Sequence, residues 1–519
     1  MIAIFFGILH GCSVANPWTG QAVWWLQLLA MAWLVGSLTR AESTKTAFWL
    51  TARFGIAWFC SSMWWLYISM HNYGGLAAPL AALAVLGLCA LLASFYAAGL
   101  VVFVHLRSAN GTRPLQDAIL FAALWLLAEL LRGTVMTGLP WSAVGYAHID
   151  GPLVNAAPYV GVYGISALAA FIAALFILTR SCMLKLGIVL VLCIKASLMP
   201  SSQALLDKAS QAPPSASLTV RLLQGNIPQN EKFDTRTGVS TALDWYKAEL
   251  LKAADDGVDL VVTAETAIPL LPQQLPINYW PQLYDKFASS PKTAALIGIP
   301  LSSSPGNYSN SVIGLGGSEA TPDKPYRYDK HHLVPFGEFV PPMFRWFIDL
   351  MHIPLGDFSA GAQAQASWAY KGQQLAPNIC YEDLFGEELA VRFLDAKTAP
   401  TIFVNVSNIG WFGNGVAVDQ HLNISRMRAI EFNRPMIRAT NTGATAIIDH
   451  KGVVTNSLPR ATRGALTGGV EGQTSLTPYA RWASQYGLQP LWAVACTWVI
   501  FIFLRRKLDS RLRGNDKLL

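Results

Sequence analysis

Long apolar stretches alternate with short charged segments over the first 200 residues of the chain. No Asp, Glu, Lys or Arg occurs in residues 1–39 or between Arg53 and Arg107. A helix needs about 20 apolar residues to cross a bilayer, so each stretch is long enough for two spans. Asn16 and Pro17 divide the first stretch, and residues 71–75 divide the second. With the later apolar runs, the two stretches predict eight membrane spans, the last four at residues 118–131, 154–178, 186–198 and 488–504.

The pattern changes after residue 217, where short runs of β-branched and apolar residues are bounded by turn residues. Such runs predict buried strands, at residues 218–223, 260–263, 295–299, 402–406 and 445–448. Helix-like stretches separate several of them, at residues 242–254, 384–396 and 420–431. Alternating strands and helices predict an α/β sheet domain. The segment 201–217, rich in Ser, Ala and Pro, is the predicted linker before it.

The composition of the chain and the distribution of its charges predict how these elements are arranged across a membrane. The chain has 519 residues, of which 53% are hydrophobic and 13% charged, and its mean hydropathy of +0.35 is typical of a membrane protein. Lys and Arg are concentrated in alternate loops, the first holding Arg40, Lys45 and Arg53, and in the tail after residue 504. Positive loops stay in the cytoplasm, so the net charge of +7 indicates topology rather than nucleic-acid binding.

Three regions follow from this topology. We predict an N-terminal transmembrane bundle of seven spans over residues 1–200, a soluble domain over 201–487, and a C-terminal anchor with a basic cytoplasmic tail over 488–519. The basic loops and tail put both termini inside, which agrees with an even number of spans, and the soluble domain then lies outside the cytoplasm.

The soluble region lacks several common catalytic motifs. HExxH, CxxC, GxxxxGK[ST] and GxSxG are absent, which excludes the usual zinc protease, thioredoxin-like, P-loop and elbow-serine sites. Only one of the seven cysteines, Cys380, falls in this region, so it has no partner there for a disulfide. It is either buried and inert or kept as a nucleophile, and the residues alone leave both open.

Polar residues with catalytic potential follow strand-like segments, namely residues 375–379 before Cys380 and the predicted strand 260–263 before Glu265, and Lys330 fits the same pattern. Cys380 follows one strand at a turn into a helix-like stretch, where the helix N-terminus favours a thiolate and the adjacent Glu382 and Asp383 disfavour it. Glu265 comes two residues after its strand, and Lys330 lies in the segment that runs from Tyr328 to Glu338. Taken singly, Glu265 would more often be a surface acid and Lys330 a solvated cation, so only the three together indicate a site.

Two histidines, His331 and His332, adjoin Lys330. No cluster of further ligands accompanies them in the sequence. We therefore expect them to make structural hydrogen bonds, and we expect no metal site.

Three segments, in order, carry a resemblance to a known family. Residues 264–267, 328–341 and 378–382 resemble the Glu, Lys and Cys motifs of the nitrilase (carbon–nitrogen hydrolase) superfamily. With a bundle of spans before these motifs and one span after them, the chain resembles the apolipoprotein N-acyltransferases of Gram-negative bacteria. Other similar segments, at residues 129–141, 224–229 and 438–443, extend the resemblance over nearly the whole chain.

The resemblance implies a fold and a set of site residues. The soluble region would be a nitrilase-like αββα sandwich in the periplasm, and the protein would lie in the inner membrane. Cys380 would be the nucleophile, Glu265 the general base and Lys330 the electrostatic stabiliser of the tetrahedral intermediate. Positions that support the site in the family match Glu338, Tyr381 and Glu382. No cofactor and no metal are implied.

The resemblance also implies a reaction and its partners. A phospholipid, typically phosphatidylethanolamine, acylates the cysteine and leaves as a lysophospholipid. The α-amino group of a diacylglyceryl-cysteine at the N-terminus of an apolipoprotein then attacks the thioester. Both substrates lie in the membrane, which gives a reason for holding the catalytic domain on a bundle, and we expect the enzyme to act as a monomer.

Two departures from the family and two other functions stay open. Ile409 stands where many members carry Asp, and Phe233 where Trp is frequent. Trp411 and Phe412 would form either a lipid-facing lid or part of the core. A membrane-bound amidase or hydrolase, in which water resolves the acyl-enzyme, is the second functional hypothesis. A transporter or receptor with an α/β sensor domain is the third, although it predicts more intramembrane charges than this chain carries.

Overall fold

The structure is a computed structural model, and it describes residues 1–108, 112–183, 185–187, 190, 217–290, 292–304, 306–317, 325–340 and 358–515. The chain divides into two compact units. The first comprises Met1–Trp64, Pro79–Ser202 and Tyr486–Leu519, and the second comprises Trp65–Ala78 and Gln203–Gln485. The predicted linker 201–217 lies outside the described residues, apart from Ser217.

Helices build the first unit. They are α1 (Ile2–Cys12), α2 (Trp24–Thr39), α3 (Thr44–Met63), α4 (Ala78–Leu106), α5 (Pro114–Thr134), α6 (Ala157–Leu178) and α12 (Gln489–Asn515). The Ser43 side chain caps α3 by accepting a hydrogen bond from the Thr46 N–H. Small residues bring the helices together, since a Cβ at Gly55 of α3 would lie 2.8 Å from the Cβ of Ala93 in α4.

Fewer helices than predicted pass a test of length and composition for crossing a membrane. Within the described residues, three qualify, Ala78–Leu106, Pro114–Thr137 and Pro152–Leu178, and a fourth qualifies if the broken pair Pro478–Tyr486 and Gln489–Asp509 is one span. The first two predicted spans coincide with α1 and α2, which have only 11 and 16 residues. The predicted span 186–198 lies almost entirely outside the described residues. The count of eight therefore stays a prediction.

Two sheets form the centre of the second unit. The described strands are β1 (Leu218–Gln224), β2 (Leu260–Val262), β3 (Ala294–Ser304), β4 (Asn307–Leu315), β5 (Tyr326–Asp329), β6 (Trp368–Tyr370), β7 (Gln373–Ile379), β8 (Ile402–Ser407), β9 (Met436–Thr440), β10 (Ala446–Ile448), β11 (Val454–Ser457) and β12 (Gly464–Val470). They pair in the orders β12-β1-β2-β3-β4-β5 and β11-β10-β9-β8-β7-β6. The central strands β1, β2 and β3 are parallel, and so are β7, β8 and β9. All five predicted strands are confirmed.

Alternation of side chains along the strands sets the layers. Leu260 and Val262 of β2 pack with Ile379 of β7 and Val404 of β8 between the two sheets, whereas Val261 faces the opposite side. On that side β1 to β4 are covered by α7 (Gly238–Asp256) and α8 (Tyr279–Ala288). The other sheet is covered by α9 (Gly386–Ala390), α10 (Val416–Phe432) and α11 (Pro478–Tyr486). The result is a four-layer αββα sandwich.

The predicted helices 242–254 and 420–431 are confirmed within α7 and α10. The predicted helix 384–396 is wrong in detail, because the chain forms a 3₁₀ turn at Cys380–Leu384, the short α9, and a second 3₁₀ turn at Val391–Phe393. Apolar residues recur there at helical spacing, but Phe385 has the non-helical dihedrals φ −101° and ψ 79° and separates the segments.

Candidate active site

The side chains of Glu265, Lys330 and Cys380 gather at neighbouring strand ends. Glu265 follows β2, Lys330 follows β5 and Cys380 follows β7 directly. The carboxyl ends of parallel strands share an edge, which brings residues distant in sequence together. Lys330 Nζ donates to Glu265 Oε1 at 3.3 Å, and the charges of both residues act on the Cys380 thiol. The structure therefore assembles the predicted trio.

Glu265 is held as a carboxylate by several donors. Asn310 Nδ2 donates to Oε1 at 2.7 Å, and the N–H of Asn408 donates to Oε2 at 2.8 Å. Burial alone would raise the pKa of the Glu265 carboxyl. The ammonium groups of Lys330 and Lys232, with these hydrogen bonds, outweigh burial and lower that pKa below its usual range. Glu265 is thus ionised and able to accept a proton at neutral pH.

Lys330 is buried between two carboxylates. Its side chain is 1% exposed, and Nζ donates to Glu338 at 2.9 Å as well as to Glu265. Glu338 is anchored in turn by the N–H of Val334 at 2.8 Å and by Asn310 Nδ2 at 2.9 Å. Burial disfavours the Lys330 ammonium, but Glu338 and Glu265 outweigh it and raise the pKa above its usual range. Lys330 is therefore a fixed positive charge.

Cys380 sits on a strained turn and carries a neutral thiol. Its φ is +53°, a left-handed conformation that non-glycine residues adopt at a cost. Burial raises the pKa of the thiol far above its usual range, the charge of Glu265 raises it further, and Lys330 offsets only part of this. The competition left open by the sequence is thus decided by burial and by a carboxylate distant in sequence. A neutral thiol needs a base before it can attack.

A buried hydrogen-bond network lies behind the backbone of Cys380. His421 Nε2 lies 3.2 Å from the Cys380 carbonyl and 3.0 Å from Asp383 Oδ1. Arg438 Nη2 lies 3.2 Å from His421 Nδ1, and a guanidinium can only donate. Nδ1 must therefore be the acceptor, so the proton is assigned to Nε2, which donates to Asp383 and to the Cys380 carbonyl. Asn405 Nδ2 donates to the same carbonyl at 3.3 Å.

Glu382 and Tyr381 fix the other side of the turn. The buried Glu382 carboxylate accepts hydrogen bonds from the N–H of Ile379 at 2.6 Å, from the N–H of His331 at 2.7 Å and from the Tyr328 hydroxyl at 2.9 Å. Burial raises the pKa of Glu382, although these donors offset part of the effect. The ring of the buried Tyr381 packs at 5.5 Å from that of His332. Glu382 thus ties the turn to the segment 328–331, and the Tyr381 ring packs against the neighbouring His332.

The two histidines make hydrogen bonds, as expected. His331 Nδ1 lies 2.8 Å from the Gly361 carbonyl, and His332 Nδ1 lies 2.9 Å from Glu388 Oε1. In the described part of the chain, no three His, Cys, Asp or Glu side chains are grouped closely enough to hold a metal ion.

The structure adds site residues that the sequence analysis missed, namely Lys232, Asn310, Asn408 and His421. Asn310 lies inside β4 and is buried there. Its role arises from the register of β3, β4 and β5, which the sequence around Asn310 does not show. Lys232 and His421 are far from the trio in sequence. A lysine and a histidine in otherwise ordinary segments carry no motif that marks them as neighbours of a site.

The two departures from the family lie beside this site. The Ile409 side chain is 1% exposed and packs closely against Gly443, while the N–H of the preceding Asn408 still reaches Glu265. Support of the base therefore needs no side chain at position 409. Phe233 is 42% exposed, and its ring centroid lies 5.9 Å from Lys232 Nζ.

Trp411 and Phe412 contact the segment Trp65–Ala78, which belongs to the same unit. Phe412 packs on Trp65 at 4.3 Å between ring centroids, and Trp411 meets Tyr73 edge-on at 5.7 Å. The Trp65 indole donates to Gln420 at 3.1 Å. These contacts favour packing over a free lid.

Comparison with known proteins agrees with this architecture. A family model described as carbon–nitrogen hydrolase matches residues 219–479, which contain the sandwich and all of the gathered side chains. An amidase from Nesterenkonia sp. AN1 of known structure is similar at 15% identity, with a TM-score of 0.35 over 48% of this chain and 92% of the amidase. The match to the family model identifies residues 219–479 as a carbon–nitrogen hydrolase domain.

Comparisons that include the N-terminal part of the chain identify a family within this class of proteins. A model of the apolipoprotein N-acyltransferase N-terminal domain matches residues 7–175. The apolipoprotein N-acyltransferase of Verminephrobacter eiseniae is 52% identical over 94% of this chain and 92% of its own length, and that of Ralstonia nicotianae is 42% identical over 92% and 89%. The chain belongs to the apolipoprotein N-acyltransferase family. It is a membrane-associated acyltransferase, which sets aside both the hydrolase and the transporter or receptor hypotheses.

Proposed function

We propose that the chain N-acylates apolipoproteins by a two-step thioester route, with Cys380 as nucleophile, Glu265 as general base and Lys330 as oxyanion stabiliser. The arrangement that supports these roles is a neutral, half-buried thiol beside an ionised carboxylate and a fixed ammonium. Glu338 holds Lys330, whereas Glu382 and Tyr381 hold the turn of Cys380.

In the first step a phospholipid acylates the enzyme. The thiol proton moves to Glu265, and the thiolate sulfur attacks the ester carbonyl carbon of the lipid. Negative charge develops on the carbonyl oxygen beside the Lys330 ammonium, and a donor placed in this way commonly contributes about 3 to 4 kcal/mol. The bond from carbon to the glycerol oxygen then breaks. That oxygen takes the proton from Glu265, and a lysophospholipid leaves.

In the second step an amine resolves the thioester. The neutral α-amino group of a diacylglyceryl-cysteine attacks the thioester carbonyl while Glu265 accepts a proton from the nitrogen. The carbon–sulfur bond breaks, and the sulfur recovers the proton. A thioester is more reactive toward an amine than an oxygen ester is, which is the chemical reason for a cysteine nucleophile.

The same proposal includes the placement of the protein in the cell. Residues 1–200 form the N-terminal bundle, 201–487 the periplasmic catalytic domain and 488–519 the anchor and cytoplasmic tail, in an eight-span protein of the bacterial inner membrane. Phosphatidylethanolamine is the proposed acyl donor, and a monomer is the proposed active form. The alternate basic loops support this orientation.

Intact-protein mass spectrometry tests the chemistry directly. The purified protein is incubated with phosphatidylethanolamine, and its mass is measured before and after a diacylglyceryl-cysteine peptide or neutral hydroxylamine is added. We expect an acyl adduct that hydroxylamine removes and that moves to the peptide amine. Release of the acyl group only to water would contradict acyl transfer.

The matched variant is Cys380→Ala, which removes one sulfur atom from a turn that the backbone network holds. We expect it to fold, to form no adduct and to lose at least about a thousand-fold in transfer rate. Transfer by a folded Cys380→Ala protein would overturn the assignment of the nucleophile.

A further inference from the structure

A second lysine, Lys232, is buried against the proposed base. It lies in the segment between β1 and α7, and it is 3% exposed. Its Nζ donates to the backbone carbonyl of Glu265 at 3.0 Å and to Thr266 Oγ1 at 2.5 Å. Its own backbone is tied down, because the Lys232 N–H donates to the Pro228 carbonyl at 3.0 Å. The ammonium therefore contacts the turn of Glu265 from a backbone that is itself held in place.

The turn that Lys232 contacts is itself strained. Thr266, the residue after Glu265, has a φ of +44°. This is a left-handed backbone conformation that β-branched residues disfavour. The Lys232 ammonium donates hydrogen bonds to Glu265 and to Thr266, and these two bonds hold the strained backbone in place. Lys232 is thus placed to fix where the Glu265 side chain leaves the backbone.

Charge balance gives Lys232 a second role. Glu265 and Glu338 contribute two negative charges to the site, and Lys330 and Lys232 contribute two positive ones. Burial lowers the pKa of Lys232 to about 8, although the neighbouring Glu265 and Cys380 favour its charged form. The ammonium form consequently predominates at neutral pH. Without it, two carboxylates and an ionisable thiol would share the single charge of Lys330.

We propose that Lys232 is a positioning residue for acyl transfer: it braces the turn of Glu265 and supplies the second positive charge that keeps this carboxylate ionised. The proposal rests on Glu265 being the base of the proposed function.

A pH profile separates this role from a merely structural one. The charged and titratable groups that face Glu265 are Lys330, Lys232, Glu338 and Cys380, and Asn310 and the N–H of Asn408 add only neutral donors. Removing one positive charge near a carboxylate raises its pKa by about one unit or more. The acid limb of thioester formation, which belongs to the Glu265–Cys380 pair, should then move to higher pH.

The experiment follows thioester formation on Cys380 from pH 3 to 8, with phosphatidylethanolamine vesicles as donor, in wild type, Lys232→Met, Lys232→Gln and Lys232→Arg. Lys232→Gln keeps a donor but loses the charge, whereas Lys232→Arg keeps the charge. We expect the acid limb to move upward by about one pH unit in Lys232→Met and Lys232→Gln, so that the rate at pH values below the wild-type midpoint falls about ten-fold, and to stay in place in Lys232→Arg. Lys252→Met, on the exposed side of α7, is the matched control and should follow wild type.

A second readout needs no lipid. Alkylation of Cys380 by iodoacetamide, followed by peptide mapping over the same pH range, depends on the same proton transfer and should show the same displacement. A wild-type acid limb in folded Lys232→Met or Lys232→Gln would overturn the proposal. If wild type alkylates with the expected limb but forms no thioester, the proposed function fails while the alkylation profiles still decide the role of Lys232.

Discussion

The carbonyl of Cys380 accepts hydrogen bonds from His421 and Asn405, and the planar peptide bond passes this constraint to the next residue. The C=O and N–H of one trans peptide point in opposite directions, so fixing the carbonyl also fixes the N–H of Tyr381. A backbone N–H beside the nucleophile is a common donor to a tetrahedral oxyanion. His421 is therefore placed to orient that donor without touching the substrate.

Loss of this orientation should affect one reaction of Cys380 and spare another. We expect His421→Leu to lower the rate of thioester formation about ten- to a hundred-fold, because the oxyanion is stabilised less well. Alkylation by iodoacetamide forms no oxyanion, so its rate should change less than about three-fold. His421→Gln retains a donor and should recover part of the first rate. Equal losses in both reactions would show that the thiol itself, rather than the oxyanion, has been disturbed.

A second expectation at this scale concerns the base. Lys330 and Lys232 hold the pKa of Glu265 below its usual range, so the carboxylate is present at neutral pH and the rate should fall as acid protonates it. Glu265→Gln keeps the shape but accepts no proton. We expect thioester formation to drop about a hundred-fold or more, and its acid limb to disappear, in quenched mass-spectrometric time courses from pH 3 to 8. A normal rate in this variant would contradict the assigned base.

At the scale of the elements, a glycine in β3 makes room for the turn of Glu265. A Cβ on Gly298 would lie 2.9 Å from the Thr266 nitrogen and closer still to the Ala264 carbonyl oxygen, both of them backbone atoms. The turn and the strand therefore approach as closely as the backbones allow. Strand β3 sets the position of the base through this contact and through the hydrogen bond from the Ile268 N–H to the Gly298 carbonyl at 3.1 Å.

Adding one methyl group at Gly298 tests the contact. Backbone atoms cannot move aside as a flexible side chain does, so we expect Gly298→Ala to lower stability by about 1 to 3 kcal/mol. Displacement of Glu265 should lower thioester formation about a hundred-fold. Thermal unfolding and acylation time courses measure the two effects. The matched control is Gly464→Ala in β12, where the nearest atom lies 3.9 Å from the new Cβ, and it should change neither.

The elements also explain how far the site was predictable from the sequence. Glu265, Lys330 and Cys380 each follow a strand, and strand ends meet at an edge, so local patterns and a family resemblance were enough to place them together. Asn310 bridges Glu265 and Glu338 only because β4 lies between β3 and β5, a register that no single segment encodes. The thiol pKa depends on burial and on a carboxylate 115 positions away in the numbering of the chain, which local reasoning about Glu382 and Asp383 missed.

At the scale of the whole molecule, the distribution of Lys and Arg remains the main argument for orientation. The loops around Arg40, Arg107 and Arg180 and the tail after residue 504 are basic, whereas the alternate loops around Asn16, Tyr73 and Gly145 carry no Lys or Arg. This pattern predicts that Cys182 faces the cytoplasm and that the catalytic domain faces the periplasm. Each side offers an exposed position for labelling, Cys182 in one and Lys252 in the other.

A membrane-impermeant maleimide therefore tests the orientation in whole cells whose outer membrane has been permeabilised. Lys252→Cys in a Cys182→Ser background should be labelled in intact cells, because α7 belongs to the unit assigned to the periplasm. The native Cys182 should be labelled only after the inner membrane is broken. The Cys182→Ser variant, which carries neither labelling position, is the control and reports any reaction at the half-buried cysteines. An eight-span protein with both termini inside requires this order of labelling. Labelling of Cys182 before lysis, or protection of Lys252→Cys until lysis, would reverse the assigned sides and would remove the catalytic domain from the periplasm.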